Sequence, residues 1–96
     1  MIKFKSFNCE IQIEKYKRGG NVIVLVDTQD GSAVAFATVH VHGLGPNEVA
    51  IKNYSENDGI YDVLIQAKVI KPMHREVEQG FVMLPVCMLK KNYRCL

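Results

Sequence analysis

Ile51-Lys52-Asn53-Tyr54-Ser55-Glu56-Asn57-Asp58 reads as the end of a strand running straight into a capped helix, and Gly80-Phe81-Val82-Met83-Leu84-Pro85-Val86-Cys87 reads as a buried apolar strand. Ser55 is placed to cap the helix, with Asp58 completing a variant of the capping box and Glu56 near the positive end of the helix dipole. Ile60, Tyr61, Leu64, Ile65 and Lys68 recur at helical spacing, which predicts an apolar stripe laid across a sheet. Gly59 is the weak point, since an interior glycine costs about 1 kcal/mol relative to alanine. Pro72 stops any continuation of the helix. Residues 73–79 are polar and read as a loop, whereas residues 80–89 form the last strand. Pro85 lacks a ladder donor, so that strand is expected at an edge or with a bulge.

Upstream, Phe7, Cys9, Ile11 and Ile13 alternate with Asn8, Glu10, Gln12 and Glu14, the pattern of a half-buried strand over residues 7–15. Ile2 and Phe4 fall on the opposite parity, so the backbone must change phase near Lys5-Ser6. Gly19-Gly20 supplies a turn, and the run Val22-Ile23-Val24-Leu25-Val26 is apolar on both faces, as a central strand would be. Asp30-Gly31 signals a hairpin into a third strand over residues 32–42. There Ala33, Ala35 and Ala37 share one face, which predicts that the helix packs closely on it, while Phe36, His40 and His42 share the other. Residues 48–53 make a short fourth strand. The predicted fold class is therefore α+β, an antiparallel sheet of about five strands with one helix packed on one face. Residues 1–96 form a single domain, with a flexible tail at 90–96.

A domain of 96 residues holds one core but little interior for a deep substrate cavity, which favours binding and regulation over catalysis. The formal charge of +2 is too small for nucleic-acid binding by bulk electrostatics and has the wrong sign for a DNA mimic. Three cysteines without C-x-x-C spacing fit a reducing cytoplasm, with Cys9 and Cys87 as core residues and Cys95 exposed. No leader or membrane-spanning run is evident, so a cytoplasmic protein that does not enter membranes is expected.

The motifs that carry chemistry are few. His40-x-His42 projects two imidazoles to one side of a strand, where both could ligate zinc, but no third and fourth ligands stand at suitable spacing. No metal or cofactor is expected. Cys9 and Cys87 lie in apolar runs that disfavour a thiolate, Asp58 and Asp62 read as helix-start charge, and no phosphate-binding or nucleophile motif is present. The protein is read as non-enzymatic. What remains is recognition, with a partner-binding surface expected at Tyr54, Glu56, Asp58, Tyr61, Asp62, His40 and His42. A sheet edge also permits a homodimer. The alternative is a nucleic-acid-binding regulator using Lys15, Lys17, Arg18, Lys90, Lys91 and Arg94, with Tyr16 and Phe36 as stacking surfaces.

Residues 51–57 with Gly59, together with Gly80-Phe81-Val82, Pro85-Val86-Cys87 and the hairpin from Leu25-Val26-Asp27 to Ala37-Thr38, give the chain a resemblance that spans most of its length. It resembles a family of short proteins carried by phages, plasmids and integrative elements, of the domain of unknown function 4313 type. The His40-Val41-His42 segment departs from that family pattern. The resemblance implies no catalytic or binding residue. It does imply carriage on a mobile element, and hence a small protein that binds and blocks a host complex in the host cytoplasm, such as a CRISPR effector or a restriction enzyme, in the manner of an anti-CRISPR inhibitor.

Overall fold

The computed structural model describes residues 2–94. Cys95, expected to be exposed, lies outside them. The class is α+β, with two antiparallel sheets rather than one. The first sheet runs in the order β1 (Ile2–Phe4), β2 (Phe7–Lys15), β3 (Asn21–Asp27), β4 (Ala33–Phe36). The second places β5 (Thr38–Val39), β6 (Glu48–Ile51), β8 (Val82–Leu89) and β7 (Ile70–Gln79) side by side. A 3-10 turn (Ser55–Asn57) and the helix α1 (Ile60–Gln66) connect β6 to β7.

The first sheet follows from local pattern. The phase change at Lys5-Ser6 is a tight hairpin that sets Phe4 opposite Phe7, and β2 pairs with β3 in one register from Cys9 opposite Asp27 to Lys15 opposite Asn21. As its sequence predicts, β3 is an inner strand with both faces buried: Ile23 and Leu25 enter the main core, while Val22, Val24 and Val26 form a smaller cluster covered by Tyr16.

Residues 32–42 do not form one strand. Ala37 lies between β4 and β5 and links the two sheets; its N–H donates to the Ile23 carbonyl (2.8 Å) and its carbonyl accepts from the Lys52 N–H (2.8 Å). Each half therefore takes a different neighbour, and His40 and His42 fall beyond the end of β5. Cys9, Ile23, Leu25 and Ala37 pack with Val49, Ile51, Cys87, Leu89 and the α1 residues Ile60 and Leu64 in one core between the sheets. Ala35 and Ala37 enter the same core as Ile60 and Leu64, whereas Ala33 is exposed and the main strand neighbours of α1 are β1 and β7, so the alanine face meets the helix only in part.

The helix entrance also differs from the capping-box reading. Ser55 has a positive φ of 55° and its side chain caps nothing; α1 starts at Ile60, with Gly59 (φ 93°) as its N-cap residue. Gly59 thus stands outside the helix, where its backbone freedom is needed. Asn53 Oδ1 accepts the Tyr61 N–H (3.0 Å) and satisfies a first-turn donor from eight residues upstream. At the far end, Lys68 adopts φ 61° and donates to the Ile65 carbonyl, while Val69 donates to Leu64. This Schellman arrangement ends the helix well before Pro72.

Residues 73–79 belong to β7, not to a loop, because the backbone of this edge strand pairs with β8 despite its polar side chains. The register slips between Pro72 and Arg75, and His74 in the bulge has φ 55°. Pro85 sits in an inner strand; it is tolerated because the β6 ladder stops at Val86, opposite Ala50. After β8, Lys91–Tyr93 form a 3-10 turn, Tyr93 packs on the core margin, and Arg94 Nε donates to the Leu89 carbonyl (2.9 Å). Among the described residues no helix is long and apolar enough to cross a membrane.

Candidate functional site

Three neighbouring depressions share residues at their borders. The largest, of about 670 Å³, lies between the helix entrance and the β7–β8 hairpin, with Tyr54, Tyr61, Met73, His74, Arg75 and Met83 on its walls. The β7 bulge shapes this groove, since an extra residue in one strand re-aims the side chains around it. Tyr61 is half-buried, and burial raises its phenol pKa. It lies beside Cys87, whose thiol burial pushes up to about 11, partly offset by a hydrogen bond with Tyr61. Burial likewise raises Cys9, followed by the nearby Asp27 carboxylate. Both thiols are thereby kept protonated and poorly nucleophilic at neutral pH.

Tyr54 also borders the second depression, of about 460 Å³, which runs past Phe36, Lys52 and Glu56 to His40. Lys52 pairs with Glu56 and reaches over the Tyr54 ring at 5.6 Å. The hydrogen bond from Lys52 holds the Glu56 carboxyl below its ordinary range. Asn57 is buried and its Nδ2 donates to the Phe36 carbonyl (2.7 Å), fastening the 3-10 turn to the end of β4. Phe36 is nevertheless 55% exposed and Met83 53%, so large apolar groups face solvent in both depressions.

Tyr16, Val39 and His40 carry the surface on into a third pocket of about 300 Å³, under the loop of residues 43–46. The Tyr16 hydroxyl and Thr38 Oγ1 share a hydrogen bond (3.0 Å). The Tyr16 and His40 rings meet edge to face at 5.1 Å, as do His40 and His42 at 5.2 Å. Asn21 Nδ2 donates to the Pro46 carbonyl (3.1 Å), and Glu48 accepts the Gly45 N–H (2.7 Å) and an Arg75 N–H (3.1 Å). The Gly45 contact first, and Arg75 after it, lower the Glu48 carboxyl pKa.

Of the residues expected to bind a partner, Tyr54, Glu56, Tyr61, His40 and His42 fall on this continuous surface. Asp58 and Asp62 line none of its depressions. Met73, His74 and Arg75 join this surface although residues 73–79 read as a loop, and Met83 although residues 80–89 read as a buried apolar strand. Gly80 (φ 63°), a turn glycine between a polar and an apolar run, is the signal that would have revealed the hairpin.

Among the cations, Lys15, Lys17 and Arg18 gather at the β2–β3 turn, while Lys90, Lys91 and Arg94 follow β8; no depression is lined by members of both sets. Among the described residues no three His, Cys, Asp or Glu side chains converge as metal ligands. The sheet edges are β1, β4, β5 and β7. The longest, β7, carries Pro72, a bulge and the charges of Arg75, Glu76 and Glu78, features that blunt an edge against pairing. Comparisons with protein-family models, curated proteins and solved structures find no match.

Proposed function

We propose that this protein is a small non-enzymatic recognition module that binds a host protein complex and blocks it. The observation that carries the reading is the continuity of the aromatic surface: Tyr54 belongs to two depressions, Tyr16 and His40 to the next pair, and Phe36 and Met83 stand exposed among them. Exposed aromatic and methionine side chains beside shallow depressions are the usual energetic centres of protein interfaces. The protonated, buried thiols offer no activated nucleophile. Resemblance to mobile-element proteins supports a partner in a host defence system, a CRISPR effector or a restriction enzyme among them, encountered in the host cytoplasm.

The test is affinity capture from host lysate with the intact protein beside a Phe36→Ala/Tyr54→Ala variant and a Gln12→Ala control on β2. A partner retained by the parent and the control, and weakened at least about thirtyfold by the double variant, is the expected result, because loss of even one interface anchor costs roughly 2 kcal/mol. Identical capture by all three would overturn the proposal. The nucleic-acid reading uses Lys15, Lys17 and Arg18 beside Tyr16, with Lys90, Lys91 and Arg94. A steep loss of binding between low and moderate salt would favour it.

A further inference from the structure

We propose that this protein self-associates about a two-fold axis, the Phe81 ring at the tip of each β7–β8 hairpin entering the other copy's groove beside the β7 bulge. Gly80 and Phe81 make a two-residue turn closed by Gln79 opposite Val82, and Gly80 supplies its left-handed φ of 63°. Turns of this kind usually carry small or polar residues, yet the Phe81 side chain is fully exposed and Met83, two residues on, is more than half exposed. Apolar surface of this size is left in water at a cost that any covering surface would recover. The groove of about 670 Å³ starts at Val82 and Met83 and runs back to the bulge, with Tyr54, Tyr61, Pro72 and Met73 among its walls. Phe81 does not line it, so the ring and the groove that would suit it remain apart within one copy.

Symmetry, charge and area select a second copy of this chain as the occupant. Ring and groove lie on one hairpin, so a single two-fold contact satisfies both of them twice. Along the ladder, the tip and the bulge lie on opposite sides of the Glu76–Pro85 pair. An axis near that pair runs the two hairpins antiparallel and lays the Phe81 ring of one copy at the bulge of the other. Residues 76–83 carry Glu76 and Glu78 and no lysine or arginine, whereas the bulge carries His74 and Arg75. The same rotation brings Glu78 of one copy to Arg75 of the other, whose guanidinium keeps donors beyond the one that Glu48 accepts. Two buried phenyl rings at about 150–250 Å² each, with the walls that receive them, remove roughly 800 Å² from water, and Met83 brings the total toward about 1,000 Å². That is the size of a weak, reversible association. It needs no ladder pairing, which the blunted β7 edge resists. It leaves Phe36, Tyr16 and His40 open, and so goes beyond the recognition reading without depending on it.

The experiment is sedimentation velocity of the full chain over concentrations from about 10 μM to about 1 mM, at low and moderate salt. A dimer with a dissociation constant of roughly 10–100 μM is expected, as suits an interface of this area. Phe81→Ser, at a fully exposed position where the fold has nothing to lose, should weaken it at least about tenfold. Glu78→Arg should weaken it about fivefold at low salt, because a cation then faces Arg75. Salt gives an independent sign: raising it should weaken the parent dimer and tighten that of Glu78→Arg, since screening removes an attraction in one and a repulsion in the other. A monomer at every concentration, a dimer indifferent to Phe81→Ser, or the same direction of salt response in both proteins would each overturn the proposal.

Discussion

The β2–β3 and β7–β8 hairpins are the longest strand pairs of the molecule, and they differ in regularity. The first keeps one register throughout. The second slips at Met73-His74, carries Pro72 and Pro85, and leaves Phe81 and Met83 exposed near its turn. The difference follows from what each strand buries. In β2, strict alternation sets Cys9, Ile11 and Ile13 toward the core, so a one-residue slip would turn all of them outward. By contrast β7 is an edge strand, where a bulge disturbs one ladder only, and the largest groove forms at that bulge. The largest of the three depressions lies where the core does not dictate the backbone.

The sharpest way to break this contrast is truncation. Leu25→Ala in β3 removes a fully buried side chain and should cost about 2–5 kcal/mol in urea unfolding. Met83→Ala in β8 should stay within about 0.5 kcal/mol, as surface changes do. Comparable losses at the two sites would erase the distinction between scaffold and surface.

Next in size is the helix entrance, which borders the irregular hairpin. Asn53→Ala loses the acceptor for the Tyr61 N–H and should cost about 1 kcal/mol, while Ser55→Ala, whose side chain caps nothing, should be nearly neutral. Thermal or urea midpoints of the two variants check this. The reverse ranking would restore a serine cap.

Glycine substitution should act in opposite directions in the two hairpins. At His74, with φ 55°, glycine relieves left-handed strain and should gain up to about 1 kcal/mol. In the regular strand, Gln12→Gly should lose roughly 0.5–1 kcal/mol relative to Gln12→Ala. A loss at both positions would mean that the bulge is held by contacts of its own rather than tolerated.

The smallest effect concerns the ion pair that links β6 to the bulge. Glu48 is held below the ordinary glutamate value of about 4.3, so its stabilisation is complete above that pH and is lost as the pH falls through the depressed value. Melting temperatures of the parent and Glu48→Gln should therefore differ most at neutral pH and converge as the pH falls through the depressed value. A gap independent of pH would show that the carboxylate contributes no charge-dependent stability.

Much of the first sheet was legible because each of its elements carries its own periodicity. The alternation of residues 7–15, the apolar run after Gly19-Gly20 and the Asp30-Gly31 turn all correspond to elements of the structure. Within the candidate surface, Tyr54, Tyr61, Glu56, His40 and His42 were legible as exposed polar or amphipathic groups. The bulged β7 was not, since its polar side chains mask a backbone that pairs along its length. The capping by Asn53 of a helix that starts beyond Gly59 depends on a fold-back that no local pattern records.

By itself, then, the sequence determined the strands whose side chains alternate, the turns that need glycine and the presence of one amphipathic helix, because these depend on neighbours within a few residues. Tertiary structure alone decided that the chain crosses between sheets at Ala37, that Asn21 is buried against Pro46, and that Tyr54 and His40 join three depressions into one surface. Those features arise from pairing between distant segments, where the competition among hydrogen-bond partners is settled only once both sheets have closed on the common core.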